Sequence, residues 1–110
     1  MPAKARLKMI RMTPRKVRVV ANQVRGKAAQ EAVDYLTFCK RSAARPLLKL
    51  IKSAIANADV KGGMDVDNLF VKELLVDSGP TMKRWMPRAR GMATPVLKRT
   101  SKISVTLDER

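Results

Sequence analysis

The run Thr13-Pro14-Arg15-Lys16-Val17-Arg18 sets three cations directly behind a Thr-Pro pair. Such a pair starts helices, threonine as the cap and proline where its missing N–H is not needed. Cations in a first turn oppose the helix dipole and cost roughly a few tenths of a kcal/mol each. An anion docked at that end reverses the sign, because free backbone N–H groups and basic side chains then converge on it. Thr13 to Arg18 is therefore a candidate phosphate-binding end; a solvated basic face is the alternative reading.

The surrounding charge favours binding. Residues 1–30 carry nine Lys or Arg and no acid, residues 31–77 seven of each sign, and residues 78–107 seven basic residues and again no acid. The net charge of +15 in 110 residues calls for a polyanionic partner to relieve self-repulsion. Candidate RNA-binding residues in the first flank are Lys4, Arg6, Lys8, Arg11, Arg15, Lys16, Arg18, Arg25 and Lys27. In the second they are Lys83, Arg84, Arg88, Arg90, Lys98, Arg99 and Lys102, with Trp85 set between Arg84 and Met86. Trp85 fits equally as a platform for a base or as a side chain packed across its own element.

Catalysis finds little to work with. The chain has no histidine and one cysteine, Cys39, which removes the commonest general base and any internal disulfide. No metal and no cofactor is expected. Asp65 and Asp67 follow Gly62-Gly63 and read as turn residues; Thr100 and Ser101 have no histidine to activate them. Ser101 beside Lys102 is no better placed, since adjacent strand residues point to opposite faces. No apolar run approaches the roughly 20 residues of a membrane span, and Met1-Pro2-Ala3-Lys4 leads into no signal-peptide core. A protein of a reducing compartment, without membrane partner or enzyme activity, is the expectation.

These residues need elements to hold them. Ala3, Ala5, Leu7 and Met9 alternate with Lys4, Arg6 and Lys8, which predicts a strand to about Met12. Val17, Val20, Ala21 and Val24 follow at helical spacing, and Gly26 stops that helix. A second helix is predicted over about Ala28 to Cys39, with Ala29, Ala32, Val33 and Leu36 inward. The third and longest reaches about Asp59, capped by Ser42, with Leu47, Ile51, Ala54, Ile55 and Ala58 as its stripe. Pro46 predicts a start at Arg45 or an irregular first turn. Leu69 to Asp77 reads as a strand with a bulge, and Leu97 to Leu107 as a clean strand. On the latter, Ile103, Val105 and Leu107 face one way, and Lys98, Thr100, Lys102, Ser104 and Thr106 the other.

Residues 79–96, with three prolines and two glycines, are far longer than a usual hairpin loop, and a compact domain does not favour a structureless loop of that length. The two strands are expected to continue outward as a ribbon turning near Arg88 to Gly91. Such a ribbon has almost no core, so its order depends on what it lies against. One domain, 1–110, is expected, with a core of about 1–79 and 97–110 and a hairpin of about 80–96. A DNA-binding reader using Thr13 to Gly26 is the competing class. It would place its second helix in the groove, and that helix is acidic and apolar here.

The order of these segments also resembles a known family. Thr13-Pro14-Arg15-Lys16-Val17-Arg18 with Val20-Ala21 and Arg25-Gly26-Lys27 is similar to the first helix of the large-subunit ribosomal protein L-twenty-two family. Ser53-Ala54-Ile55-Ala56-Asn57-Ala58 is similar to its central helix. Val76-Asp77, Gly79-Pro80-Thr81-Met82-Lys83-Arg84, Pro87-Arg88-Ala89-Arg90-Gly91 and Lys98-Arg99-Thr100-Ser101 resemble its hairpin and last strand. The chain departs from the family pattern at Met92, Thr94 and Lys102 and around Pro46. The resemblance implies an α+β fold, three helices packed on a small antiparallel three-stranded sheet, with a long protruding β-hairpin. It also implies binding to large-subunit ribosomal RNA, contacts with neighbouring ribosomal proteins, and no homo-oligomer. The tip, Arg88, Ala89, Arg90, Gly91, Met92 and Ala93, would meet the nascent peptide in the exit tunnel. The location implied is the ribosome in the cytoplasm, with an organellar ribosome as the alternative.

Overall fold

The computed structural model describes residues 3–62, 66–87, 91 and 93–109. In chain order these form β1 (Ala3–Ile10), α1 (Pro14–Val24), α2 (Ala29–Phe38), α3 (Ala44–Lys61), β2 (Leu69–Ser78), β3 (Met82–Pro87), β4 (Ala93–Lys98) and β5 (Ser101–Glu109), with a short 3-10 turn, Val66–Asn68, before β2. β1, β5 and β2 make a three-stranded antiparallel sheet in that order, and β3 pairs with β4 in a separate antiparallel ribbon. The expected α+β class is the observed one.

The helices cover one face of the sheet, and the core is aliphatic. Val17, Val20, Ala21 and Val24 of α1 and Ala29, Ala32 and Leu36 of α2 are buried. So are Leu47, Leu50, Ile51, Ala54 and Ala58 of α3, which meet Ala3 and Ala5 of β1 and Ile103, Val105 and Leu107 of β5. α3 lies along β1, where alanines on both elements permit a close approach, and the Asn57 amide donates to the Lys4 carbonyl at 2.9 Å.

The differences from expectation have causes in strand pairing and in the start of α3. The alternation of β1 ends at Leu7, because the pairing with β5 slips between Leu7 and Ile10. Met9 is thereby turned outward, 51% exposed, and Ile10 rather than Met12 ends the strand. The anticipated bulge in β2 falls at Lys72, between Val71 and Glu73. It reverses the parity, so that Leu69 and Val71 before it and Leu74 and Val76 after it all face the core. α3 starts at Ala44, so Pro46 occupies its third position, where a backbone N–H has no partner within the helix. Ser42 is not the cap; Ala43 takes that place without a side-chain bond.

The expected single strand from Leu97 is two. The break at Arg99-Thr100 separates β4 from β5 and lets two successive side chains, Thr100 and Ser101, both be buried. The Thr100 hydroxyl donates to the Pro80 carbonyl, and the Ser101 hydroxyl to the Met12 carbonyl at 2.7 Å. The Gly79 N–H donates to the Thr100 carbonyl at 2.9 Å. A Cβ on Gly79 would lie 2.6 Å from the Thr100 hydroxyl oxygen, so only glycine admits this approach. Here the ribbon joins the sheet.

The ribbon accounts for the shape. The Cα radius of gyration is 17.1 Å, against about 13 Å for a compact chain of this length, and the principal extents are 64 × 25 × 16 Å. Replacing residues 81–94 by a short turn should leave helical circular dichroism and a cooperative thermal transition nearly intact. An unfolded product would mean that the buried layer depends on the ribbon.

Candidate nucleic-acid interface

β2 is an edge strand, and an uncovered edge leaves a row of N–H and C=O groups without partners. α1 and the turn after it bond to part of that row. The Gly26 N–H donates to the Val71 carbonyl at 3.0 Å, and the Val71 N–H donates to the Lys27 carbonyl at 2.8 Å. Gly26 has φ +83°, a left-handed conformation that glycine adopts without a Cβ penalty. Further along, the Arg25 guanidinium donates to the Leu74 carbonyl through Nε at 3.2 Å and Nη2 at 2.6 Å, and also to the Asn22 side chain. Arg18 Nη2 donates to the Val76 carbonyl at 2.9 Å. Two residues expected to hold RNA thus spend donors on the fold, and α1 is fixed antiparallel to β2.

That alignment brings the start of α1 to the root of the ribbon. The Lys16 and Val17 N–H groups donate to the Thr13 carbonyl at 3.1 and 3.3 Å, which confirms Thr13 as the cap position and Pro14 as the first helical residue, although the threonine side chain makes no capping bond. Arg15 and Arg18 line a recess of about 210 Å³ together with Ser78, Gly79, Thr81, Arg99 and Thr100. On its other side lies a larger cleft of about 830 Å³, lined by Arg11, Met12, Thr13, Lys16, Lys40, Arg41, Ser42, Ala43, Lys98 and Arg99. Six of those ten residues are cations and none is acidic.

Lys40 and Arg41 are absent from the sequence-based set. They belong to the charge-balanced middle of the chain, where neighbouring acids cancel them in any linear count. Only the adjacent pair of cations between two helices hinted at them. The fold separates them from those acids: Glu31 and Asp34 lie along α2, while the loop after α2 turns back to the ribbon root.

The remaining candidates lie elsewhere. Arg6, Lys8 and Lys102 line a separate hollow of about 460 Å³ that also contains Asp77. Lys4 is exposed on β1. The Lys27 ammonium stands 5.2 Å from the centre of the Tyr35 ring, a cation–π contact. Lys83 is exposed on β3. Arg84, Trp85 and Ala93 lie in the ribbon by backbone, Arg84 opposite Val96 and Trp85 opposite Pro95; their side chains lie outside the described residues. Arg88, Ala89, Arg90 and Met92 also lie outside them, whereas Gly91 is exposed with φ +73°. Among the described residues, no group of three or more His, Cys, Asp or Glu could hold a metal ion, and no helix is long and apolar enough to cross a membrane.

Fold and charge together define a class: a small α+β protein whose charge-balanced middle builds much of the core and whose cations gather at the root of an extended ribbon. Comparison with known families narrows it. Residues 5–108 match the family model described as ribosomal protein L22p/L17e, and the chain belongs to that family. It is 51% identical over 111 residues to the large ribosomal subunit protein uL22 of Myxococcus xanthus (strain DK1622), covering 99% of this chain and 97% of the relative. The protein of the same name from Syntrophotalea carbinolica is 50% identical over 110 residues, covering 100% of each. That of Mesoplasma florum is 51% identical over 111 residues, covering 100% of this chain and 99% of the relative. The family is structural, and the chain is not an enzyme.

The hydrogen bonds of Arg25 separate fold from surface chemistry. Arg25→Ala should lower unfolding stability by about 1–2 kcal/mol, since it strips a charged donor pair from the Leu74 carbonyl. Arg15→Ala, on an exposed side chain, should stay within about 0.5 kcal/mol. Urea denaturation of both variants gives the comparison, and equal losses would contradict the edge-sealing role.

Proposed function

We propose that the chain is a structural constituent of the large ribosomal subunit that binds ribosomal RNA through its basic flanks and extended hairpin and supports subunit assembly. Its hairpin tip would contribute to the wall of the nascent-peptide exit tunnel. The observation that carries this reading is the convergence of six cations from three separate stretches of chain, with no acid among them, at the foot of a two-stranded ribbon. Phosphate neutralisation relieves the repulsion among those cations and gives the ribbon a surface to lie on. Family membership and the names of the relatives agree with a place in the ribosome. Neighbouring ribosomal proteins and, at the tip, the nascent peptide are the further partners. The location is the ribosome, in the cytoplasm.

The bound residues divide by task under this reading. Arg11, Arg15, Lys16, Lys98 and Arg99 meet phosphates at the ribbon root, and Lys4, Arg6, Lys8 and Lys102 do so on the sheet. Arg18 and Arg25 hold α1 with some of their five donors and offer the rest outward. Lys83, Arg84, Trp85, Arg88 and Arg90 follow RNA along the ribbon.

A binding mode built on phosphates is sensitive to salt. Affinity of the isolated protein for a large-subunit RNA fragment should fall by about 10³-fold or more between roughly 50 and 200 mM salt. A nearly flat response in a filter-binding titration would sink the electrostatic basis.

The tip carries its own expectation. Arg90→Glu should leave the protein in assembled subunits, because 15 basic residues remain in the two flanks. It should change nascent-chain stalling or the response to tunnel-binding antibiotics through a reversed charge in a narrow passage. Normal assembly with both responses unchanged would leave the tip an RNA anchor only.

A further inference from the structure

The cleft at the ribbon root differs from a flat basic surface in that its cations converge. Arg11 comes from the passage between β1 and α1, Lys16 from the first turn of α1, Lys40 and Arg41 from the loop between α2 and α3, and Lys98 and Arg99 from the end of β4. They surround about 830 Å³, with the neutral hydroxyl residues Thr13 and Ser42 between them. A regular RNA strand presents its phosphates along a line, so cations on opposite walls of a concavity cannot all reach them. Phosphates that crowd together at a sharp turn of the backbone can be reached from every side at once. Such a turn is costly in free RNA because the phosphates repel, and a ring of cations offsets that cost.

We propose that this cleft is an oligophosphate site that takes a sharp turn of an RNA backbone. The inference rests on the ribosomal RNA reading and narrows it from a charged surface to one concave site, with Lys40 and Arg41 among its ligands. Two walls belong to the helical layer and the third to the ribbon, so the bound turn also spans the joint made by Gly79, Pro80 and Thr100.

The probe is inorganic tripolyphosphate, which packs phosphates closely without bases or sugars. In calorimetric titration of the full chain at constant ionic strength, one equivalent should saturate, about tenfold tighter than orthophosphate or more. Lys40→Gln with Arg41→Gln should weaken it by about tenfold. Lys49→Gln with Lys52→Gln removes the same charge from exposed positions of α3 that do not line the cleft, and should cost less than about threefold. Lys40 and Arg41 are exposed, so the double variant should melt like the parent, and Lys16→Gln on another wall gives an independent check. Equal losses in the two double variants, or no saturable binding, overturn the proposal. An RNA with an internal bulge should displace tripolyphosphate better than a straight duplex of equal length; equal displacement also overturns it. Binding of a large-subunit RNA fragment is measured alongside. A chain that binds the fragment but not tripolyphosphate loses only this site, whereas a chain that binds neither loses the ribosomal RNA reading as well.

Discussion

The open edge of β2 constrains more of this molecule than any other single feature. A three-stranded sheet has two edges, and β2 runs directly toward the ribbon, so whatever covers that edge also arrives at the ribbon root. The covering element is α1 with its following turn, bonded at Val71, Leu74 and Val76. Bonds at three points along a strand allow the helix one direction and one register. Its first turn therefore lies beside Ser78 and Gly79, and the cations of that turn meet Arg99 from the other chain passage. Without the sealed edge, Thr13 to Arg18 would be a basic helix end on an arbitrary part of the surface.

Charge sets the second condition. Residues 1–30 and 78–107 carry the excess behind the net charge of +15, while residues 31–77 balance. Much of the buried layer comes from the charge-balanced stretch, whose α3 supplies Leu47, Leu50, Ile51, Ala54 and Ala58. The acid-free flanks contribute the apolar faces of β1, α1 and β5. α1 buries its valines while Arg15, Lys16 and Arg18 stay exposed, and β5 buries Ile103, Val105 and Leu107 while Lys102 faces out. Amphipathic elements thus let a strongly cationic segment take part in a core without burying a charge.

Arginine suits both the strand bonds observed on α1 and the phosphate contacts proposed for it. A guanidinium has five donors in a rigid fork, enough for one strand carbonyl and a phosphate together. Lysine would hold the edge through a single flexible ammonium with less geometric definition. Arg25 and Arg18 are seven residues apart, two helical turns, and so share the face that looks along β2.

Local periodicity settled much by itself: three helices, the bulged strand, the alternation of β5, and the ribbon in place of a loop all follow from spacing and turn residues between neighbours in sequence. The acid-free flanks likewise identified the cationic segments, because charge runs are local. The family resemblance added the α+β arrangement of these parts. What lay beyond the sequence depends on residues far apart in the chain. The outward turn of Met9 follows from a slip in the pairing with β5, and the burial of Thr100 from a break that lets its hydroxyl reach Pro80. The bonds of Arg18 and Arg25 to strand carbonyls came only with the packing of α1 on β2. The membership of Lys40 and Arg41 in the cationic cleft needed the chain to fold back from α2 to the ribbon root, where acids that cancel them in a linear count lie elsewhere. Sequence patterns report the face a residue presents, whereas convergence of faces from separate segments is a property of the tertiary fold.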